Sequence, residues 1–356
     1  MGRARRARKI AATAAYGGGG LAAIGAALGA AGWGVIKGEA ALARRIIGTP
    51  FDDSPDDNGV YGAGRGEPYD IVVLGDSSAA GMGAEAPHET VGAIVASGIA
   101  ALTGRRVRLT NRAVVGAESS DLERQLANAL EDVLHPDVVL IMVGANDVTH
   151  RIDKSIAVRH LGDAVRRLGD AGAHVVVGTC PDLGTIAPIR QPLRSLMKRW
   201  SRDLAAAQTV AVVEAGGRTV SLADLIGPEF AESPHEMFSK DRFHPSAAGY
   251  ARAAAALLPS VCAALGVWGA DTADRAPEPR RGEGVEPVAV AAGHAVKEPG
   301  TEVSPTEMAG QPRGPRGRWA VTLRRRRDDV PPASDTPVET PGEPASTDDA
   351  EPAAPA

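Results

Sequence analysis

A three-layer α/β/α sandwich with a parallel central sheet is the fold this sequence predicts, on three observations. Short β-branched runs recur between longer amphipathic stretches, and the alternation continues from Tyr69 to about Val267. The runs are mostly apolar along their length, as strands buried on both faces must be. Strand and helix alternate rather than segregate, which favours parallel pairing with helices on both sides.

The runs IVVL (71–74), VRLT (107–110), DVVLIMV (137–143) and HVVVG (174–178) are bounded by turn residues and read as strands, with a shorter fifth near TVSL (219–222). Between them, residues 88–103, 119–134, 155–171 and 189–215 read as helices, and Pro245 opens a last one. This α/β domain is expected over residues 68–268.

Its flanks differ in composition. Residues 1–9 form a basic tail carrying Arg3, Arg5, Arg6, Arg8 and Lys9, and residues 10–36 follow with 27 positions free of charge. About 20 apolar residues suffice to cross a bilayer, so this segment reads as a membrane anchor with its N-terminus inside and the main domain extracytoplasmic. It is rich in Ala and Gly, and a signal segment cleaved near Ala41-Leu42-Ala43, leaving a secreted protein, is the competing reading. A cytosolic chain with a disordered N-terminus is the third.

Residues 37–67 read as a linker, since 48–67 are dense in Gly, Pro and Asp. Residues 269–356 read as a disordered tail: 14 of the 26 prolines lie in the last 87 residues, with one Leu and no Ile or Phe to build a core. Within the tail, Arg313, Arg316, Arg318 and the run Arg324 to Arg327 surround Trp319. They read as a solvated charge run, or as a contact for anionic polymer or lipid headgroups.

Lys and Arg number 39 against 44 Asp and Glu, a formal net charge of -5, which excludes the strong positive field of a nucleic-acid binder. Six of the 39 basic residues are lysine, a bias of GC-rich, actinobacterial-type genomes. Cys180 and Cys262 are too few for a disulfide framework and lack metal-ligand spacing; they read as two independent buried thiols, with pairing the alternative.

Four motifs stand in order along the α/β region: GDSS (75–78), NRAVVGAESSD (111–121), GAND (144–147) and DRFHP (241–245). The first three each follow a strand. In a parallel sheet the loops after strands emerge on one edge, so topology alone brings Ser77, Gly116 and Asn146 together. A serine hydroxyl needs a hydrogen-bonded base to act as nucleophile, and attack on an ester creates an oxyanion needing preorganised donors. Ser77 offers the hydroxyl and its own N–H, Gly116 an unobstructed N–H, and Asn146 an amide that cannot titrate. Asp241 and His244 are three apart, so one turn brings carboxylate to imidazole and leaves the other ring nitrogen free to accept a proton. Asp76 and Asp147 are read as bonding loop backbone, and the remaining histidines as surface or turn residues. The loop CPDLGTI (180–186) emerges on the same edge and is a candidate lining of the cleft.

With these residues in place, the chain resembles the SGNH/GDSL hydrolases: GDSS, the Gly116 motif, GxND and DxxHP are similar to four of that family's blocks, over about 200 residues. The resemblance implies a flavodoxin-like sandwich with five parallel strands ordered 2-1-3-4-5. It implies a serine esterase working through an acyl-enzyme without metal or cofactor, with Ser77, His244 and Asp241 catalytic and Ser77, Gly116 and Asn146 forming the oxyanion hole. A lipid or acylated carbohydrate ester is the expected substrate. An acyltransferase or deacetylase acting on cell-envelope glycans would use the same residues. A non-catalytic anchored module that displays the tail is the reading from another class.

Overall fold

The computed structural model describes residues 32–48, 51, 53–267, 307–308 and 311–312. Strands β1 (Gly59–Tyr61), β2 (Tyr69–Gly75), β3 (Val107–Asn111), β4 (Val138–Met142), β5 (His174–Gly178) and β6 (Arg218–Val220) form one sheet in the order β1-β3-β2-β4-β5-β6. The pairs from β3 to β6 are all parallel. These five strands have the predicted 2-1-3-4-5 order. The sixth, β1, was not expected: it pairs antiparallel with β3 at the edge, Gly59 opposite Leu109.

The helices are α1 (32–47), α2 (Val91–Thr103), α3 (Leu122–Asp132), α4 (Ala145–His150), α5 (Lys154–Asp170), α6 (Leu193–Glu214), α7 (Leu222–Leu225), α8 (Gly227–Glu232), α9 (Pro234–Met237) and α10 (Ala247–Ala264). Strand alternation sends side chains to two cores. Ile71, Val73, Leu109, Leu140 and Val176 face α2 and α10. Val72, Leu74, Ile141, Val175 and Val177 face α3 and α5. The three layers follow.

Two boundaries differ from expectation. The segment read as a linker, 37–67, is helical as far as residue 47 and supplies β1. Apolar residues at 33, 36, 40, 43 and 47 recur at helical spacing, and Ala43 is buried against the domain, so tertiary contact stabilises a helix that Gly and Pro composition further along obscured. Before β1, Asp57 accepts from Thr90 Oγ1 at 2.6 Å, and Asn58 Oδ1 accepts from the Asn111 N–H at 2.7 Å. These bonds pin a stretch that reads as loose. The last helix begins at Ala247, capped by Ser246, rather than at Pro245.

Among the described residues, α10 is the helix long and apolar enough to cross a membrane, with mean hydropathy 1.2, yet 56% of it is buried in the domain. Its apolarity is accounted for by packing on α2, and Tyr250 within it is fully buried. Residues 1–31, most of the expected membrane segment, lie outside the described residues, and so does most of the tail, including Arg313 to Arg327. A short antiparallel ladder, Glu307–Met308 with Gln311–Pro312, is described within that tail.

Candidate active site

The site lies at the C-terminal edge of the sheet, where four loops meet. The first begins at Gly75, whose φ is +136° and where an added Cβ would stand only 1.8 Å from the Met142 carbonyl oxygen. Glycine is therefore required where β2 turns away from β4. The strand end is then finished by a side chain. Gln125 of α3 accepts the Gly75 N–H through Oε1 at 2.8 Å and donates Nε2 to the Gly75 carbonyl at 2.9 Å. Gln208 of α6 does the same at the neighbouring loops, accepting from Cys180 N–H at 2.8 Å and donating to the Val143 carbonyl at 2.9 Å. Both glutamines are buried, and both satisfy backbone groups left open where a strand becomes a functional loop. Sequence reasoning missed them. Their one available signal was a polar residue on the buried face of an amphipathic helix.

Ser77 follows Asp76 in a tight turn and is 8% exposed. Its Oγ lies 2.9 Å from His244 Nε2, and His244 Nδ1 lies 2.6 Å from Asp241 Oδ2. The three groups predicted to meet do meet, although 167 residues separate the hydroxyl from the imidazole. Local chemistry sets the His244 turn. Asp241 Oδ1 accepts the Phe243 N–H at 2.8 Å, the His244 N–H at 2.9 Å and the Ser239 hydroxyl at 2.8 Å. Burial would raise the Asp241 carboxyl, but the bonds from the His244 ring and from the two backbone N–H groups outweigh it and hold the group below the usual carboxylate range.

Gly116 and Asn146 line the same groove as Ser77 and His244. Gly116 has φ +82° with open space where a Cβ would stand, so backbone conformation and not crowding asks for glycine there. Asn146 donates one amide hydrogen to the Ala117 carbonyl at 2.9 Å, which ties its side chain to the Gly116 loop and leaves its second N–H for another acceptor. Among the described residues, neither the Ser77 N–H nor the Gly116 N–H has a protein acceptor. Three donors thus remain available near one hydroxyl.

Asp76 and Asp147 serve the loops. Asp147 accepts from the Ser119 N–H and from its hydroxyl at 2.9 Å, fastening the GAND loop to the Gly116 loop. Asp76 accepts the Ser78 N–H at 2.9 Å, and burial pushes its carboxyl up to about 6. Cys180 and Cys262 are both buried free thiols. No group of three His, Cys, Asp or Glu able to hold a metal occurs among the described residues.

Two spaces adjoin Ser77. A narrow pocket of about 80 Å³ runs inward between Leu183, Ile186, Leu222, Ile226 and Phe230, so the 180–186 loop does line the cleft. A wide groove of about 1000 Å³ opens toward α1. Phe51 stands edge-on to the His244 ring, centroids 6.4 Å apart, and His150 on the groove bonds Glu118 at 2.7 Å. Neither was singled out from sequence as part of the site.

Sheet order, loop edge and the Ser77–His244 relay define an esterase of the SGNH/GDSL type. The chain belongs to the GDSL-like Lipase/Acylhydrolase family, whose model matches residues 73–252. It is 44% identical over 230 residues to the GDSL-like esterase Rv1075c of Mycobacterium tuberculosis, covering 62% of this chain and 73% of that protein. Among solved structures it is similar to LAE5, an alpha/beta hydrolase from the Lake Arreo metagenome, at 20% identity and TM-score 0.43 over 57% of this chain and 97% of that one. It is also similar to Axe2, an acetylxylan esterase from Geobacillus stearothermophilus, at 21% identity and TM-score 0.41 over 56% of this chain and 95% of that one.

Proposed function

We propose that this esterase works through an acyl-enzyme on Ser77. Ser77 Oγ attacks the carbonyl carbon and passes its proton to His244 Nε2, while Asp241 holds the ring and favours the imidazolium. The Oγ–C bond forms, the bond to the alcohol oxygen breaks, and the departing alcohol takes the proton from His244. Water then repeats the attack, releasing the acid and restoring Ser77. The N–H groups of Ser77 and Gly116 and the Asn146 amide receive the oxyanion in both steps. The observation that carries this reading is the unbroken relay at 2.9 and 2.6 Å from Ser77 through His244 to Asp241.

The substrate is a carboxylic ester of a lipid or an acylated carbohydrate, met at a membrane through the part of residues 10–36 that precedes α1, with the catalytic domain outside the cytoplasm. The basic start followed by 27 uncharged residues supports that placement. The test is hydrolysis of 4-nitrophenyl acetate with intact-mass detection of an acylated protein at early times. Wild type should show the adduct, and Ser77→Ala should show neither adduct nor turnover. Full activity in that variant overturns the proposal, and recovery of the full chain in the soluble fraction overturns the membrane placement.

A further inference from the structure

Helix α1 joins the last residues of the expected membrane segment to the first of the expected linker, and it forms one wall of the groove beside Ser77. Trp33, Ile36, Ala40, Ala43 and Ile47, spaced three and four apart, line that wall, opposite Ile189, Met197 and Trp200. The helix is fastened rather than draped. Glu39 Oε2 accepts the Leu193 N–H at 3.0 Å, placing a carboxylate on a free donor at the start of α6. Arg151 lies between two indole rings, 4.9 Å from the Trp33 centroid and 5.5 Å from that of Trp200. Arg151 is also the left-handed cap (φ 61°) of α4, the helix that carries Asn146. The wall and an oxyanion donor are therefore joined through one residue.

The two spaces differ in which reacting groups they contain. Ser77 and Asn146 line both; His244 and Gly116 line the groove and not the inner pocket. If His244 protonates the departing alcohol, as proposed above, that alcohol has to lie within reach of Nε2, hence in the groove. The carbonyl oxygen is directed to the donors. The acyl chain is left with the inner pocket, whose volume of about 80 Å³ is roughly half the ~150 Å³ apolar cavity that admits benzene, so roughly two to four carbons fill it. The groove of about 1000 Å³ is at the upper end of ordinary ligand sites and is mostly apolar on both walls.

We propose that α1 builds the leaving-group side of the cleft, and that the enzyme takes esters joining a short acyl group of about two to four carbons to a bulky, mainly apolar alcohol. This rests on the Ser77–His244 reading above. Hexyl acetate and ethyl hexanoate are isomers that differ only in which side of the ester is long, so they separate placement from hydrophobicity. The full chain should favour hexyl acetate in kcat/KM by about tenfold or more, because ethyl hexanoate overfills the inner pocket by about two methylenes. Trp33→Ala and Ile36→Gln should each lower the hexyl acetate to ethyl acetate ratio by about fivefold or more, through KM, as expected when apolar contact with the alcohol is lost. Equal rates for the isomers, or a preference for ethyl hexanoate, overturn the partition while leaving the nucleophile reading intact, provided Ser77→Ala is inactive on both. Turnover by Ser77→Ala overturns both readings together. An unchanged ratio in the α1 variants overturns the role of α1.

Discussion

Asp241 holds His244 at two points at once: its Oδ2 bonds the ring at Nδ1 (2.6 Å), and its Oδ1 accepts the residue's own backbone N–H (2.9 Å). The carboxylate therefore fixes both the direction of the imidazole and the turn that presents it, leaving Nε2 toward Ser77. A third and a fourth bond, from Phe243 N–H and the Ser239 hydroxyl, keep the buried charge satisfied.

Replacing the carboxylate by an amide separates these tasks. In Asp241→Asn the Oδ1 acceptor can persist, but an NH₂ group facing Nδ1 favours the ring tautomer that carries its proton on Nε2, where the serine proton should go. We expect kcat for 4-nitrophenyl acetate to fall by about 10³- to 10⁴-fold, with thermal stability changed much less. Stopped-assay rates alongside melting curves check this.

The oxyanion donors give a smaller and different loss. Asn146→Ala should lower kcat by about 10²- to 10³-fold with KM little changed, since the contact strengthens only as negative charge develops. Gly116→Ala should add a strain of about 1–2 kcal/mol from its left-handed backbone, visible in urea unfolding, and should reduce kcat as the loop shifts.

Gln125 predicts a stability effect located away from the reacting atoms. Gln125→Leu leaves the buried N–H of Gly75 without a partner, at a cost of about 1–3 kcal/mol, while the Gly75 carbonyl keeps the Val114 N–H at 3.0 Å. A denaturant midpoint lowered accordingly, together with reduced activity, is the expected result; an unchanged midpoint contradicts it.

Asp76 makes stability depend on pH. Its carboxyl is raised from an ordinary 3.8 to about 6, mainly by burial. Below about pH 4 the group is protonated in both folded and unfolded chains; above about 6 it is ionised in both, and the fold carries a buried charge. Its contribution thus declines as pH rises from about 4 to about 6. Relative to wild type, Asp76→Asn should gain on the order of 2–3 kcal/mol between about pH 4 and about pH 7. Urea titrations of both proteins at the two pH values measure it; a constant difference across the range would contradict the assignment.

Much of this was legible in the chain because the relevant signals are local. The apolar β-branched runs mark strands wherever both faces are to be buried, and 71–74, 107–110, 137–143 and 174–178 lie on β2 to β5 with small shifts at their ends. Ser77, Gly116 and Asn146 stand in loops that follow parallel strands, so their shared edge follows from topology. Asp241 and His244 are close in sequence, and a single turn sets their contact. What composition concealed was α1 and β1: Gly, Pro and Asp between 48 and 67 read as loose chain, whereas Asp57 and Asn58 are held by partners at the start of α2 and on β3, at least 33 residues away.

Residue pattern was enough to establish the layered fold, the order of the parallel strands through the family resemblance, and the identities of the groups that meet at Ser77, because short-range periodicity and loop position encode them. Folding in three dimensions settled the rest: that α1 walls the groove, that Gln125 and Gln208 complete the strand ends, and that a small pocket and a large groove both open beside one hydroxyl. These depend on which distant surfaces come into contact and on the volume left between them, quantities that no local run of residues carries.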